Sequence, residues 1–457
     1  MKLKIEAKLD NRFMPMALVC RQMRENTVRD GQDIVVAVER NQGYTYVYKT
    51  RIYKDGTGHD QENFKFIDRI AKTLLWVAGG YKITIAGSKV VGEYVKKTFC
   101  HGGTRDFDVR FMERVYEKSF EVIITDLDHA PAEKSSASPV GKHLDGCRIG
   151  FDAGGSDRKV SAVVNGQTVY SEEVVWFPKL NSDPNYHYEG ILSAMKTAAS
   201  HMPRVDAIGV SSAGVYIDNK IMIASLFIKV NDEDFEKKVK NMYIDVAREL
   251  GENIPIEVAN DGDVTALAGA MSLEDNGILG VAMGTSEAAG YVDMDGNITG
   301  WLNELAFAPV DYNEDAMVDE WSGDYGCGVK YFSQDGVIKL APAAGIELDE
   351  NLSPAEKLKV VQNLMKDGDE RAKAIYETIG AYFGYTLAYY AEFYDIKQVL
   401  IMGRVTSGAG GEILLNKARE VMATEFPELN KKITLNIPDE RARRVGQSVA
   451  AASLPKI

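Results

Sequence analysis

The sequence predicts an α/β protein whose central sheets are covered by helices on both faces. Three observations predict it. Runs rich in Val, Ile and Thr alternate with longer stretches of helical period. Glycine-bearing turns recur where one strand-like run meets the next. Several of these runs end in polar residues, where open α/β sheets place ligands.

The elements follow in chain order. "DNRFMPMALVCRQMREN" predicts a helix, and "QDIVVAVERNQGYTYVYKTRIY" a strand, a turn and a strand. "ENFKFIDRIAKTLLWVAGG" spaces Phe64, Phe66, Ile67, Ile70, Leu74 and Leu75 at helical period. "YKITIAG" predicts a strand, and "SKVVGEYVKKTF" a helix capped by Ser88. "DHAPAEKSSASPVGKHLDG" is small, polar and proline-bearing, and predicts a linker. The expected organisation is an N-terminal α/β domain over 1–128, a linker over 129–146 and a main domain over 147–457. "CRIGFDAGGSDRKVSAVVNGQTVYSEEVVWF", "YEGILSAMKTAASHM" and "VDAIGVSSAG" then repeat the upstream order of strands, helix and strand. The N-terminal domain is therefore either a degenerate copy of the first half of the main domain or an independent α/β layout. "IPIEVAND" predicts a strand, "GDVTALAGAMSL" a helix and "GILGVAMGTSEAAGYVDMDGNITG" a hairpin. The apolar helix "ERAKAIYETIGAYFGYTLAYYAEFY", the strand "QVLIMG" and the helix "DERARRVGQSVAAASL" complete the chain.

Composition narrows the function classes. A chain of 457 residues with formal net charge −14 argues against a nucleic-acid or anionic-membrane surface as its main partner. Cys20, Cys100, Cys147 and Cys327 form no CxxC pair, which suits free thiols in a reducing compartment. No run suggests a signal peptide or a membrane span, so a soluble, cytoplasmic protein is expected.

Four stretches can carry chemistry. In "IGFDAGGSDRK" a strand ends in Asp152, which can hold a hydrated divalent cation. Gly154, Gly155 and Ser156 then offer backbone N–H groups to an anion, unless the glycines serve the turn alone. In "VAMGTSEAAGYV", Gly284, Thr285 and Ser286 form a second such turn. In "EVANDGDVTALAG", Asn260 and Asp261 stand where a strand gives way to a helix. Asp261 suits a proton acceptor there, or a helix cap. In "VLIMGRVTSGAGG", Gly403 lets a flat ligand approach the backbone, and Arg404 can stack on a base or grip a phosphate.

In this order and spacing, the chain from about Cys147 to Ile457 resembles the ROK family of sugar kinases and sugar-responsive repressors. "NELAFAPVD" is similar to that family's sugar-binding segment, and "ARRVGQSVAAASL" to its last helix. The resemblance implies the two-lobed, RNase H-like fold of the actin-like ATPases. It implies ATP-dependent phosphorylation of a sugar hydroxyl, with Asp261 as general base, Asn260 and Glu304 on the sugar, and ATP and Mg²⁺ as cofactors, the Mg²⁺ held through water by Asp152. Arg158 would supply positive charge to the first phosphate turn, beside Asp157. Small-molecule sugar and nucleotide are the implied partners, and the family's frequent dimers imply a homodimer.

The sequence also departs from the family's pattern. Phe307 replaces a histidine that binds sugar and zinc. In "EWSGDYGCGV" only Cys327 remains of the zinc cysteines, with Glu320, Ser322 and Val329 at the other marked positions. One thiolate cannot build a four-ligand site, so no zinc is expected. Phe307 and Val329 remove two partners for sugar hydroxyls, at roughly 1–3 kcal/mol for each group left unpaired. The substrate is therefore expected to be a deoxygenated or differently substituted sugar, or another polyol. Glu287 places a charge beside the second phosphate turn, and Ala288 and Ala289 add methyl groups there. Two classes follow: a sugar kinase with a divergent pocket, or a non-catalytic sugar- or nucleotide-binding protein that kept the fold. A DNA-binding repressor would need a basic recognition helix near the N-terminus, and residues 1–128 show none.

Overall fold

The computed structural model describes residues 2–135, 140–438 and 440–457. Residues 136–139, inside the expected linker, lie outside that description. The chain forms two compact units. Unit 1 comprises Met1–Ser136, Val281–Ala289 and Gly300–Ile437, and unit 2 comprises Ala137–Gly280, Gly290–Thr299 and Pro438–Ile457.

Unit 1 opens with α1 (Met16–Thr27), β1 (Gly31–Glu39), β2 (Thr45–Tyr53), α2 (Asp60–Val77), β3 (Lys82–Ala86), α3 (Lys89–Thr98), α4 (Asp106–Tyr116) and β4 (Glu121–Thr125). Ser88 caps α3 by accepting the Val91 N–H, as the sequence predicts. The strands lie in the order β2-β1-β3-β4.

Unit 2 is built on a five-stranded sheet in the order β11-β8-β5-β6-β7. Its elements are β5 (Cys147–Ala153), β6 (Asp157–Val164), β7 (Gln167–Val175), α5 (Pro184–Ser200), β8 (Ala207–Ser212), the small strands β9 (Val215–Ile217) and β10 (Lys220–Ile223), the single turn α6 (Asp232–Asp234), α7 (Met242–Leu250), β11 (Ile256–Asn260) and α8 (Asp261–Leu273). The topology of the two sheets differs. β1 runs antiparallel to β3, whereas β5 runs parallel to β8. The shared order of strands, helix and strand therefore does not extend to strand pairing.

β12 (Ile278–Met283) and β13 (Glu287–Val292) pass from one unit into the other and share a sheet with β14 (Gln398–Met402) and β15 (Thr434–Asn436). α9 (Gln334–Leu340), α10 (Pro354–Lys366), α11 (Glu370–Tyr390), α12 (Ala409–Glu425) and α13 (Pro427–Asn430) complete unit 1. The last helix, α14 (Glu440–Ala452), returns to unit 2 and lies on β5 and β8. There a Cβ on Gly209 would stand 1.6 Å from the Ala451 carbonyl oxygen, so only glycine admits the helix.

Unit 1 is organised around a buried ion cluster. Arg69 and Lys72 on α2 have no exposed surface. Asp324 pairs with Arg69 at 2.7 Å, with Lys72 at 2.9 Å and with Arg105 at 2.8 Å. Lys72 also faces Asp108 at 3.3 Å, and Arg105 grips Asp68 through Nε and Nη2. Three cations thus meet three carboxylates, and no net charge is left in the cluster. Burial alone would raise the Asp324 carboxyl; Arg69, Lys72 and Arg105 outweigh it and hold the group well below the usual carboxylate range.

Among the described residues, no helix is long and apolar enough to cross a membrane.

The cluster makes a stability prediction. Asp324→Asn leaves three buried cations short of a partner and should cost about 3–5 kcal/mol in denaturant unfolding. Because the folded-state pKa of Asp324 is depressed, its contribution is present above the ordinary carboxylate pKa and fades as pH falls below it. The gap between wild type and variant should therefore narrow in acid.

Candidate active site

In unit 2 the β5–β6 hairpin places Asp152 at a strand end. Asp152 is buried and accepts a 2.9 Å hydrogen bond from Ser211 Oγ. Burial pushes its carboxyl up to about 6; the Ser211 bond and Lys159 oppose the shift, and Asp261 and Asp157 add to it. Gly154 and Gly155 avoid positive φ, so left-handed geometry is not what they supply. A Cβ on Gly154 would instead stand 2.7 Å from the Asp157 carbonyl oxygen, which makes the hairpin too tight for a side chain. Ser156 is exposed at the tip.

Asn260 caps α8, accepting the Gly262 N–H at 2.7 Å and donating to the Gly214 carbonyl at 2.8 Å. Asp261 is the first helical residue and is half-buried. Its carboxyl is raised by burial, against the Gly262 N–H and Lys179. On β8, Ser211 is in register with Asp152 and Ser212 with Asn260, and Gln447 Nε2 reaches Ser211 Oγ at 3.3 Å and Asp261 O at 3.5 Å, so the expected base and the expected metal carboxylate share one locality of unit 2.

Arg158 goes elsewhere. It pairs in register with Ala153, and its guanidinium turns toward α5, 3.4 Å from Ser193 Oγ. Lys159, in register with Asp152, holds Asp157 at 3.0 Å. The cation beside the hairpin that sequence reasoning missed is Lys179. Its Nζ lies 3.3 Å from where a Cβ on Gly155 would stand, and its charge acts on Asp261. Lys179 follows β7 in a short 3-10 turn, Pro178–Leu180, and no motif in the sequence marks it.

In unit 1 the second phosphate turn joins β12 to β13. The Gly284 N–H donates to Ser286 O, and Thr285 and Ser286 are exposed. Gly403 has φ 102°, and a Cβ there would stand 2.3 Å from Met283 O. Glycine is therefore what brings the end of β14 against the phosphate turn. Arg404 is exposed beside it, its carbonyl accepting from Gln362 Nε2.

Glu287 corrects one expectation. Its side chain turns inward instead of adding charge at the surface, and it is only 3% exposed. Neither carboxylate oxygen has a hydrogen-bond partner among the described residues. Burial pushes the group up to about 8; the Tyr390 hydroxyl opposes this and Glu304 adds to it. Ala289 is buried, and Ala288 is the exposed methyl group.

Glu304 and Phe307 share one 3-10 turn (Leu305–Phe307). The N–H groups of Asn303 and Glu304 donate to Val77 O and Trp76 O at the end of α2. Phe307 lies 4.4 Å from Trp76, ring centre to ring centre. The segment expected to lack zinc is also engaged. Glu320 pairs with Lys330, Ser322 donates to Asp319 at 2.6 Å, and Cys327 is buried. Burial pushes the Cys327 thiol up to about 11, against the pull of Lys72.

Comparison with solved structures follows from this geometry. A ROK hexokinase from Thermus thermophilus is similar at TM-score 0.52 and 17% identity, over 66% of this chain and 97% of that one. A ROK family transcriptional regulator, a homologue of the E. coli MLC protein, is similar at TM-score 0.54 and 17% identity, over 68% of this chain and 79% of that one. The fold is the ROK fold. No protein-family model matches the chain, and no curated protein sequence does. The two ROK structures differ in what their descriptions say they do, so the fold itself does not choose between kinase and regulator.

Glu287 yields a prediction. Its folded pKa is raised, so the folded state loses stability as pH climbs from the ordinary glutamate value through about 8. Glu287→Gln should flatten that loss and raise the melting temperature at pH 8, with little change at pH 4.5. Thermal melts across pH test this, and equal slopes in both proteins would contradict it.

Proposed function

We propose that this chain is an ATP-dependent sugar kinase. The observation that carries the reading is the grouping in unit 2 of Asp261, Asp152 and Lys179 around the first phosphate hairpin. The second expected phosphate turn, the late glycine turn and Glu304 lie in unit 1.

Phosphoryl transfer asks little covalent chemistry of the protein; it asks for positioning and charge. Asp261 accepts the proton of the attacking sugar hydroxyl at its carboxylate. Asn260, locked to the Gly214 carbonyl, and Glu304, locked to the end of α2, orient the sugar. The backbone N–H groups of residues 154–156 and of Thr285 and Ser286 are the proposed phosphate donors, the Gly284 N–H being used within its own turn, and Lys179 and Arg404 are the proposed cations. Asp152 is a strand-end carboxylate braced by Ser211, a donor that fits a magnesium ion keeping most of its waters. When bound, Mg²⁺ neutralises charge on the phosphates. Zinc has no part in the reading, because one thiolate cannot build a four-ligand site and Glu320 and Ser322 are engaged with Lys330 and Asp319. Cytoplasmic location and a partner set of sugar and nucleotide belong to the same reading, and a homodimer is its proposed assembly.

A second reading has one observation in its favour. A ROK family transcriptional regulator is similar in fold to this chain. On that reading the chain binds sugar without turnover.

The test is ADP release over a panel of hexoses, amino sugars, deoxy sugars and polyols. Wild type should turn over at least one of them. Asp261→Asn should lower kcat by about 10²–10⁴ while the fold is kept. The rate should fall in acid as Asp261, whose carboxyl burial raises, takes up a proton and ceases to act as a base. Equal background for wild type and variant with every sugar would refute the kinase. Elemental analysis of purified protein should find no stoichiometric zinc.

A further inference from the structure

A cavity of about 290 Å³ in unit 1 is lined by Asp10, Arg12, Asn313, Asp315, Tyr331 and Lys339, among others. That size suits a small molecule, because ligand pockets span roughly 300–1,000 Å³. Lys339, in the last turn of α9, is half-buried. Its Nζ lies 3.3 Å from the centre of the Tyr331 ring and 4.9 Å from that of Tyr382. It makes no hydrogen bond or ion pair among the described residues, although an ammonium can donate three.

The surroundings of that nitrogen are built for one positive charge. Tyr331 donates its hydroxyl to Asp311 Oδ2 and Tyr382 donates to Asp10 Oδ2, each at 2.6 Å. Asp311 is buried, and its Oδ1 accepts the Met14 and Asn313 N–H groups, both at 2.9 Å. The two carboxylates are thus engaged by the tyrosines, and Lys339 is held by ring faces instead of hydrogen bonds. Burial pulls its ammonium down to about 8; Asp10 and Asp311 resist the fall, and Lys330 adds to it. A partnerless amine of this kind, lining a cavity, is a nucleophile for carbonyl carbon.

We propose that this cavity binds a small hydroxylated aldehyde and that Lys339 joins it as an imine. The Lys339 nitrogen attacks the carbonyl carbon. Its two hydrogens leave with the carbonyl oxygen as water, and a C=N bond remains. A proton from solvent then returns the positive charge to the nitrogen, over Tyr331 and near Asp10 and Asp311. An acyl group on Lys339 would abolish that charge, so the site suits a carbonyl compound and not an acyl donor. Arg12 and Asp315, paired at 3.6 Å and both exposed, and the half-buried Asn313 offer donors and acceptors to the ligand's hydroxyls. The inference does not rest on the kinase reading, for Asp152, Lys179, Asp261 and Glu304 take no part in this cavity.

The experiment treats the full chain with glycolaldehyde and cyanoborohydride, which traps imines, and maps the labelled lysines by peptide mass spectrometry. At about pH 7.5 Lys339 should label about tenfold or more faster than the other lysines, because far more of it is neutral. Its labelling rate should saturate with glycolaldehyde, as a binding site requires, and the preference should vanish in urea. Lys339→Arg keeps a cation over Tyr331 and should lose the dominant adduct with an unchanged circular-dichroism melt. Ala316→Leu, which narrows the cavity and leaves the amine, should slow labelling of Lys339 alone, and it serves if the arginine variant fails to fold. Label spread over the lysines according to their exposure would overturn the proposal. So would a rate at Lys339 that rises linearly with glycolaldehyde and ignores Ala316→Leu, since that describes a reactive amine without a site.

Discussion

Everything distinctive in unit 1 depends on one buried arrangement, the pairing of Arg69, Lys72 and Arg105 with Asp68, Asp108 and Asp324. Buried charges are tolerated when they neutralise one another and their remaining bonds are met. Here the cations come from the first third of the chain, and the central carboxylate, Asp324, from a segment more than two hundred residues later. The cluster joins α2 and α4 to that later segment. Arg69 Nη2 extends the contact by donating to the Tyr325 carbonyl at 2.6 Å. The backbone of Asn303 and Glu304 is pinned to the end of the same helix. An ion cluster thus holds a stretch where the resembling family uses a metal, and the turn bearing Glu304 and Phe307 inherits its rigidity.

Three other carboxylates carry the opposite kind of feature. Asp152, Asp261 and Glu287 all have carboxyls raised by burial. Each is a group whose charged form the folded chain disfavours. Asp152 lies at the end of β5 and Asp261 at the start of α8, where a bound cation or a substrate proton would relieve the cost. Glu287 faces the interior, where the Tyr390 hydroxyl opposes burial without cancelling it, and the carboxyl is pushed up to about 8.

Much of this was legible from periodicity. The helix around Phe66 and Leu74, the Ser88 cap, the β5–β6 hairpin and the strand ending at Asn260 all follow from local pattern. α4 was not legible. Its charged residues include Asp108, which is buried, so the polar positions do not mark a solvent face. Lys72 and the Trp76 indole on α2 offset that burial, a pairing that the fold creates and sequence spacing does not show. The direction of Arg158 was hidden for a different reason. Adjacent strand residues face opposite ways, and it is the register that sets Lys159, not Arg158, opposite Asp152. Lys179 was missed because proximity to Gly155 is created by the fold rather than by spacing in sequence.

The central claim is that the ion cluster fixes the turn bearing Glu304 and Phe307. Native-state hydrogen exchange of wild type and Lys72→Met tests it most directly. The amides of Asn303 and Glu304 donate to carbonyls at the end of α2, so their protection should fall together with that of α2 when the cluster is broken. Retained protection at Asn303 and Glu304, alongside a loosened α2, would contradict the account.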